Sequence, residues 1–323
     1  MRRALLVGID RYCTAPQLFC CVSDAEALEP VLSRNHDLSR NYTCELLTSE
    51  KDGAIEAAVL RRALERLFDN PDADVLFYFS GHGAANSFGG HLMMHGSNRD
   101  DPGFPMRELV DRANTFAREC RRNVLIILDC CYAGAAGSDD EVIGNLDNDA
   151  RLNEGVTILA AARHRQKAVE AGSHGAFTRL VLGALEGGAA DVRGRVSAAS
   201  IYAYAEGVLG ALDQRPIYKS HAASLEPVRL CDPAVPDDIL RQLPVLFPDP
   251  HDDHRLAPTY EWTNASAIPE HVLLFKTFKR LQVAQLLRCL TGVDMFDTAI
   301  ASETVMLTPL GRFYWELARA EKF

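Results

Sequence analysis

The chain has 323 residues, a length that suits one large domain or two. Its formal net charge of -10 argues against a general nucleic-acid binder, because the phosphate backbone selects for cationic proteins, and it favours a basic partner segment. A hydrophobic fraction of 47% and a mean hydropathy of -0.09 indicate a water-soluble chain that can bury a sizeable core.

The nine cysteines lack the spacing of a disulfide framework, which predicts free thiols in a reducing compartment. The first apolar run follows Met1-Arg2-Arg3 and ends at Asp10, so it is too short for a signal peptide or a membrane span. We therefore expect a cytoplasmic protein with no membrane partner.

The first two thirds of the chain alternate short apolar runs with amphipathic segments. Strands are predicted over residues 4–9, 43–47, 75–79, 91–94, 124–128 and 156–161. One helix is predicted to begin at Ala25, with Asp24 as its cap and Pro30 as a kink. Further helices are predicted over residues 54–68, 107–120, 176–186 and 197–212. This alternation is typical of an α/β fold whose mostly parallel sheet is sandwiched by helices.

Three later segments depart from that alternation. Residues 135–155 are dense in Gly, Asp and Asn and predict an exposed loop. Prolines and acids crowd residues 233–258, so we predict a domain over 1–232 followed by a linker over 233–265. A small C-terminal module is predicted over 266–323, with helices over 271–278, 279–291 and 310–322 and a strand over 304–307. The order of its elements resembles a winged-helix module.

Two of the predicted strands end in residues that can perform chemistry. One apolar run ends in Ser80-Gly81-His82-Gly83, and the other ends in Asp129-Cys130-Cys131. Ligands bind at the carboxyl ends of strands in open α/β sheets, and the flanking glycines leave the imidazole uncovered. A cysteine thiolate needs a base nearby, which is usually a histidine. The two strands therefore predict a Cys/His pair.

The alternation of side chains along a strand favours Cys131 over Cys130 as the nucleophile. Asp129 and Cys131 share one face of their strand, and Ser80 and His82 share one face of the other. Cys130 is then expected to be a small buried hydrophobic residue. The alternative, in which both cysteines are core residues, stays open at this stage.

The segments Phe79-Ser80-Gly81-His82-Gly83 and Asp129-Cys130-Cys131-Tyr132-Ala133-Gly134 resemble the two catalytic motifs of the caspase-like cysteine peptidases, in their metacaspase and prokaryotic caspase branch. The spacing of about 50 residues between His and Cys also suits the caspase pattern. The resemblance covers residues 1 to about 230 and implies a large-subunit-like half over 1–151 and a small-subunit-like half over 152–232. The sequence departs from it at Tyr132-Ala133, where metacaspases usually have His-Ser.

This resemblance implies roles at the two motifs. His82 and Cys131 would form the catalytic dyad of a cysteine endopeptidase, and the backbone N–H groups of Gly83 and Cys131 would bind the oxyanion. No third member of a triad is evident in the sequence. The departure at Tyr132-Ala133 concerns the subfamily, because those side chains are not part of the dyad.

The resemblance also implies the residues that bind the substrate side chain before the scissile bond, in the S1 pocket. They are Cys21, Asp24, Ser80 and Asp129. Two carboxylates in one pocket suit a guanidinium or an ammonium, which predicts a protein substrate with Arg or Lys at P1. The alternative is that Asp24 is only a helix cap and Asp129 only a polar strand end.

Self-processing is a further expectation from the family, whose members resemble one another in having a loop between the two halves that can be cut. Arg151 is the single basic residue in the loop over 135–155, so an enzyme that selects basic P1 residues has one candidate site there. The alternative is that Arg151 is only a solvated loop charge.

We expect no cofactor and no metal. Asp100-Asp101 and Asp139-Asp140 are candidates for a calcium site, but they do not align with the acidic segment of metacaspases, where Pro105-Met106-Arg107 stands instead. Calcium dependence therefore stays open. The cluster His251-Asp252-Asp253-His254 is interpreted as part of a solvated linker rather than a metal site.

Three functions compete at this stage. The first is an endopeptidase whose C-terminal module binds a regulatory or activating protein, with the resemblance implying a bacterial antiviral defence or regulated-death pathway. The second is a catalytically degenerate caspase-fold scaffold. The third is a transcription regulator acting through basic residues of the C-terminal module, which are Lys276, Lys279, Arg280 and Arg288. The apolar content of that module favours protein contact over nucleic acid.

Overall fold

The computed structural model of the chain describes residues 1–86, 89–132, 152–161, 174–209, 216–222, 226–291 and 294–323, with the backbone alone at 85, 86, 89, 131 and 132. Two compact units are present. The first comprises Met1–Ala190 and Arg195–Cys231, and the second comprises Asp191–Gly194 and Asp232–Phe323. Among the helices of these residues, none is long and apolar enough to cross a membrane.

The first unit is built on a mixed sheet in the order β2-β1-β3-β6-β7-β9. Its strands are β1 Arg2–Gly8, β2 Tyr42–Thr48, β3 Asp74–Asn86, β6 Val124–Tyr132, β7 Val156–Ala160 and β9 Ile217–His221. All neighbours are parallel except β9, which pairs antiparallel with β7. A short extension adds β4 Gly89–Leu92 to the end of β3 and β5 Phe104–Pro105 to β4.

Helices cover both faces of this sheet, because its central strands are apolar on both sides. One face packs against α2 Ala57–Leu67 and α3 Met106–Cys120. The other face packs against α1 Cys21–Ser33, α4 Ala176–Gly183 and α5 Ala198–Leu209. A π-helical turn over Ala184–Gly188 follows α4, and a two-stranded ribbon joins β8 Arg195–Val196 to β10 Arg229–Leu230. The predicted α/β sandwich is confirmed.

The first helix begins earlier than the sequence predicted. The carboxylate of Asp10 accepts the backbone N–H groups of Cys21 (2.9 Å) and Val22 (3.2 Å), so it satisfies the first donors of α1 from outside the helix. The prediction that Asp24 caps a helix starting at Ala25 was therefore wrong, and Asp24 lies buried in the first turn instead. The helix continues through Pro30 to Ser33.

Strands β3 and β6 extend beyond their apolar runs and include both motifs. In their parallel register, Ser80 pairs with Asp129, His82 with Cys131, and Gly83 with Tyr132. Strand β9 was not predicted, because its sequence is short and ends in Lys219-Ser220-His221. The sheet therefore aligns the two motifs at one edge of the first unit, as the ends of neighbouring parallel strands should be.

The second unit corrects the prediction of a linker over 233–265. That segment contains α6 Asp237–Leu240, α7 Leu243–Leu246, β11 Asp253–Arg255 and a 3-10 turn over Pro258–Tyr260. It also buries Val235, Leu240, Phe247 and Leu256 in the core of the unit, so its prolines belong to turns of a folded region. Similarly, the helices predicted over 271–278 and 279–291 are one helix, α8 Pro269–Val283.

The remaining elements of the second unit complete a small layered fold. They are β12 Leu287–Cys289, α9 Met295–Ile300, β13 Thr304–Leu307 and α10 Pro309–Arg319. Strand β13 pairs antiparallel with both β11 and β12. The Trp315 indole donates to the Phe247 carbonyl at 2.7 Å, which ties α10 to the end of α7. The likeness to a winged-helix module stays a prediction.

Candidate active site

The predicted base, His82, lies on β3 and is 5% exposed. Its backbone N–H donates to the Tyr12 hydroxyl at 2.8 Å, and the Tyr12 ring lies 4.8 Å from the imidazole between ring centroids. Its Nε2 lies 2.9 Å from the Pro16 carbonyl oxygen. Because a carbonyl oxygen can only accept, Nε2 carries a proton, and in the neutral imidazole Nδ1 therefore holds the lone pair. Among the described residues, the buried Nδ1 has no hydrogen-bond partner.

The loop over 10–20 supplies both contacts to His82 and is held by its own hydrogen bonds. The Tyr12 backbone N–H donates to Gln17 Oε1 (3.2 Å), and Gln17 Nε2 donates back to the Tyr12 carbonyl (2.6 Å). The Leu18 N–H donates to the Asp10 carbonyl at 2.9 Å. The loop is therefore a fixed clamp on the imidazole.

The predicted nucleophile, Cys131, is described by its backbone, which pairs with His82 across β3 and β6. The neighbouring Cys130 is buried in the same core cluster as Leu128 and Ile126, as the alternation of side chains predicted. Gly83, one of the predicted oxyanion donors, is buried on β3. Arg151, the predicted site of self-cleavage, lies outside the described residues.

Asp24, the first predicted carboxylate of the pocket, is 1% exposed and is bonded from three sides. Its Oδ1 accepts the Gly175 N–H at 3.0 Å and lies 3.0 Å from Nδ1 of His174. Its Oδ2 accepts the Ser80 hydroxyl at 3.1 Å. Asp24 therefore joins the first turn of α1 to Ser80 on β3 and to the segment just before α4.

Asp129, the second predicted carboxylate, is also buried. Its Oδ2 accepts the Thr178 N–H at 3.1 Å and the Thr178 hydroxyl at 2.6 Å. Since that hydroxyl gives its proton to Asp129, the Tyr78 hydroxyl at 2.5 Å must donate to it. A chain of hydrogen bonds thus runs from Tyr78 through Thr178 to the carboxylate.

Burial makes both carboxylates weaker acids than usual. Burial, followed by the charge of Asp129, raises the pKa of Asp24 to about 6, against the opposing hydrogen bonds from Gly175, His174 and Ser80. Burial also raises the pKa of Asp129, against the hydrogen bonds from Thr178. A cation close to these two carboxyl groups would stabilise their charged forms.

Cys21, the fourth predicted pocket residue, begins α1 and is buried. Burial raises the pKa of its thiol well above the ordinary value, and the surrounding carboxylates act in the same direction. The thiol therefore stays neutral, and it suits the wall of a pocket rather than a nucleophile.

Gly175 brings the two carboxylates together across a space with no room for a side chain. A Cβ atom built on it would lie 2.9 Å from Asp129 Oδ2 and 3.0 Å from Asp24 Oδ2. A side chain at this position would collide with both acids, so only glycine allows the backbone to approach them this closely. Cys21, Asp24, Ser80 and Asp129 lie close together in this part of the first unit, and that they form a substrate pocket stays a prediction.

Several residues that build the site were not predicted from the sequence. Pro16 acts through a backbone carbonyl, which any residue could provide, and Tyr12 precedes it in a loop without regular structure. No role was predicted for Gly175 and Thr178 from the sequence. A buried carboxylate that needs donors was the available signal for Thr178.

The described part of the chain contains no group of three or more His, Cys, Asp and Glu side chains that could hold a metal. Asp101 lies in a turn in which its Oδ1 accepts the Gly103 N–H, and Asp139-Asp140 lie outside the described residues. His254 is half-buried, with its Nε2 2.9 Å from the Tyr260 hydroxyl, and burial lowers its pKa. His254 therefore serves the core of the second unit.

Comparison with known proteins gives a family match over most of the chain. The family model of the caspase domain, peptidase C14, matches residues 1–224. No curated protein sequence matches the chain. The family match covers all of the residues discussed above as the candidate active site.

Solved structures with a similar fold are also found. Protein GSU0716 from Geobacter sulfurreducens has a TM-score of 0.51 at 15% identity, over 71% of this chain and 99% of that chain. The Drosophila initiator caspase Dronc has a TM-score of 0.46 at 9% identity, over 71% and 81% of the two chains. Caspase-1 from Spodoptera frugiperda has a TM-score of 0.48 at 12% identity, over 72% and 91%. At 15% identity, the first likeness concerns the fold alone.

Proposed function

Because this chain belongs to the caspase domain family of peptidases, we propose that it is a cysteine endopeptidase that uses His82 and Cys131. The observation that supports this most directly is the state of the His82 ring. The Pro16 carbonyl fixes the proton on Nε2, and Nδ1 keeps a lone pair on the strand position that pairs with Cys131. A cysteine nucleophile requires such a base, with one nitrogen held by another group and the other able to accept the thiol proton.

The proposed reaction proceeds in two stages. Nδ1 of His82 accepts the Cys131 thiol proton, and the thiolate attacks the carbonyl carbon of the scissile peptide bond. The N–H groups of Gly83 and Cys131 stabilise the oxyanion that develops. His82 then gives its proton to the departing amine, and water, activated by the same imidazole, releases the acyl group from Cys131.

We also propose that the enzyme cleaves after Arg, and less efficiently after Lys. Asp24 and Asp129 are two buried carboxyl groups whose pKa values are raised, so a cation at P1 would lower the energy of the pocket. A planar guanidinium can bond with two oxygens at once, whereas an ammonium offers a point charge. An acidic P1 residue would be repelled by the same pair.

The second candidate is a caspase fold that acts as a scaffold without turnover. A scaffold requires no particular tautomer of His82. The paired contacts from Tyr12 and Pro16, which orient both the backbone and the ring of that residue, favour the peptidase. A direct measurement of turnover distinguishes the two candidates, because only the peptidase cleaves a peptide.

The decisive experiment is a panel of fluorogenic peptides that differ only at P1, run with and without calcium. We expect cleavage after Arg and Lys, complete loss in Cys131→Ala, and retention of much of the activity in the matched variant Cys130→Ala. Cys130 lies in the core, so its variant tests whether the fold alone explains the loss. Equal loss in two folded variants would refute the dyad, and efficient cleavage after Asp would refute the pocket.

Self-processing after Arg151 is part of the same proposal. The residues that follow are anchored, because the Asn153 N–H donates to Asn114 Oδ1 at 2.8 Å and the Leu152 carbonyl lies 3.3 Å from Nδ1 of His221. A cut before them would leave β7 in the sheet, so the two halves should stay associated. Intact mass spectrometry of wild type beside Cys131→Ala tests this, and a wild-type chain that cleaves an Arg peptide yet stays whole would contradict it.

We propose that the second unit binds a regulatory or activating protein. Trp262, Leu273 and Val283 are 74%, 68% and 85% exposed, which suits protein contact. Two of the four basic residues named above are already engaged, since Lys279 bonds Glu261 and Arg280 bonds the Pro233 and Ala234 carbonyls. A role in a bacterial defence or regulated-death pathway rests on the resemblance of the sequence to caspase-like proteins.

A further inference from the structure

A second thiol and imidazole lie in contact in the first unit, apart from the dyad. Cys13 Sγ lies 3.1 Å from Nε2 of His95. On the other side of the ring, Nδ1 lies 3.0 Å from the Arg11 carbonyl oxygen. The carbonyl can only accept, so Nδ1 carries a proton, and in the neutral imidazole the lone pair of Nε2 faces the thiol. This is a nucleophile, a base and a group that orients the base, which is the arrangement that activates a cysteine.

Exposure distinguishes Cys13 from the other cysteines whose side chains are described. Cys13 is exposed, Cys20, Cys44 and Cys120 are half-buried, and Cys21, Cys130, Cys231 and Cys289 are buried. Burial raises the pKa of the Cys44 thiol to about 12 and also raises the pKa of Cys231. A reagent in solution can therefore reach Cys13 directly, at a thiol whose proton already has an acceptor.

The position of Cys13 links this pair to the candidate active site. Tyr12, whose hydroxyl accepts the His82 N–H, is the preceding residue, and Pro16, whose carbonyl holds His82 Nε2, lies three residues further along. The Cys13 N–H donates to the His95 carbonyl at 2.8 Å, and the His95 ring holds the Arg11 carbonyl. His95 thus attaches the loop on both sides of Tyr12.

We propose that Cys13 is a site of reversible covalent modification by small-molecule disulfides, and that the modified loop holds His82 less well. The Sγ proton moves to Nε2 of His95, and the thiolate attacks one sulfur of the disulfide. The new Sγ–S bond forms as the original S–S bond breaks, and the departing thiolate takes the proton from His95. Cys13 is oxidised, and half of the disulfide is reduced to a thiol.

Geometry explains why the adduct would disturb the loop. A disulfide bond places its second sulfur about 2 Å from Sγ. His95 Nε2 is only 3.1 Å from Sγ, so an adduct removes the S–H that faces Nε2 and adds a substituent beside the ring. If His95 turns away, the Arg11 carbonyl loses its donor, so one of the two attachments beside Tyr12 is lost, while the bond from the Cys13 N–H to the His95 carbonyl stays.

The reactivity is tested in Cys131→Ala protein, so that its outcome does not depend on the proposed peptidase function. Oxidised glutathione is added near neutral pH, and the adduct at each cysteine is followed by peptide mass spectrometry. We expect Cys13 to react at least about tenfold faster than the half-buried Cys44 and Cys120. The variant His95→Asn keeps a donor for the Arg11 carbonyl but removes the base, and we expect it to remove most of this advantage. A rate for Cys13 no faster than for Cys120, or an unchanged rate in His95→Asn, would overturn the proposal.

The link to His82 is tested in the same protein by NMR of its imidazole nitrogens. We expect modification to shift the Nε2 and Nδ1 signals of His82, and Cys13→Ser protein treated in the same way to show no shift. Unshifted signals at full modification of Cys13 would overturn the link. The kinetic consequence rests on the proposed function. For this test, Cys131 of the wild type is protected by a reversible peptide aldehyde during the treatment, and the aldehyde is then removed. We expect a kcat lower than that of untreated protein, and we expect reductant to restore it. An unchanged kcat would contradict the kinetic consequence.

Discussion

The two halves of the candidate active site share the ends of β3 and β6 but are built in different ways. His82 is held by one loop, through the Pro16 carbonyl and the Tyr12 hydroxyl, and its Nδ1 has no partner among the described residues. Asp24 and Asp129 receive donors from separate parts of the chain, which are Ser80 on β3 and the segment over 174–178. The His82 half thus leaves Nδ1 without a partner among the described residues, whereas the carboxylate half surrounds its oxygens with hydrogen-bond donors.

This difference matches two kinds of work. A group that transfers a proton needs one nitrogen fixed and the other available. A group that selects a cation needs a fixed negative charge in a place that excludes water. Damage to the imidazole half should therefore lower kcat for every substrate, whereas damage to the carboxylate half should change the preference for P1.

The largest effect is expected from His82→Gln. Glutamine can still donate to the Pro16 carbonyl, but it cannot accept the thiol proton. We expect kcat to fall by about 10²–10⁴-fold, to the same extent for Arg and Lys peptides. Steady-state kinetics on both peptides measures this. A loss confined to one P1 residue would mean that His82 belongs to the pocket and not to the chemistry.

A selective effect is expected from Asp24→Asn. The amide keeps the shape of the side chain and can still accept the Gly175 N–H, but it lacks the charge that a buried guanidinium requires. Since one unpaired buried charge costs several kcal/mol, kcat/KM for Arg peptides should fall by about 10²-fold. The exposed Asp100→Asn changes the net charge equally and should have no effect. A similar loss on a peptide with a neutral P1 would argue against a pocket role.

The same variant should stabilise the fold. Burial raises the pKa of Asp24 from 3.8 to about 6, so the folded protein binds this proton more tightly than the unfolded chain. Its contribution to stability is therefore present below about pH 4 and is lost as the pH rises to about 6. Removing the charge should raise the free energy of unfolding by about 1 to 2 kcal/mol at neutral pH. Urea denaturation of wild type and Asp24→Asn across this pH range measures the difference in their free energies of unfolding. A difference that does not vary with pH would contradict this prediction.

A smaller effect, about tenfold per pH unit, is expected on the selection of Arg. Below a pH of about 6, Asp24 takes up a proton and no longer attracts a cation. The ratio of kcat/KM for an Arg peptide to that for a neutral peptide should therefore fall with decreasing pH. Taking the ratio removes any titration of the dyad, which acts on both peptides. A constant ratio from neutral pH to below this value would show that the pocket stays charged.

The sequence predicted the strands of the site well because each apolar run stops at its motif. The same rule placed Cys130 in the core, since alternate residues of a strand face opposite sides. It did not predict the role of Pro16, because a backbone carbonyl has no residue signature. Strand β9 was missed because its pairing with β7, rather than its own polar sequence, stabilises it.

The second unit shows the opposite limit. Prolines and acids predicted a linker over 233–265, yet Val235, Leu240 and Phe247 are buried in a shared core. Isolated apolar residues between turns lack the periodicity from which burial can be predicted. Their partners, such as Trp315 on α10, are far along the chain. Here the long-range contacts determine the structure, and local patterns do not reveal them.

The smallest kinetic effect is expected when one hydroxyl group is removed from either half of the site. Tyr12→Phe removes the acceptor of the His82 N–H, and Tyr78→Phe removes the donor to Thr178. Tyr12→Phe leaves the buried His82 N–H without its acceptor and should lower the free energy of unfolding by about 1–3 kcal/mol. Tyr78→Phe removes one hydrogen bond of the Thr178 hydroxyl, which still donates to Asp129, and should lower it by about 0.5–1.5 kcal/mol. Their kinetics should differ, however. Tyr12→Phe should lower kcat a few-fold for every P1 residue, because the imidazole loses part of its clamp, while Tyr78→Phe should change the ratio of Arg to neutral P1 cleavage through Asp129. The two variants are matched in chemistry and burial, so kinetics on the peptide panel can assign any difference to the half that was altered. If both shift the P1 ratio alike, the two halves form one coupled network rather than separate devices.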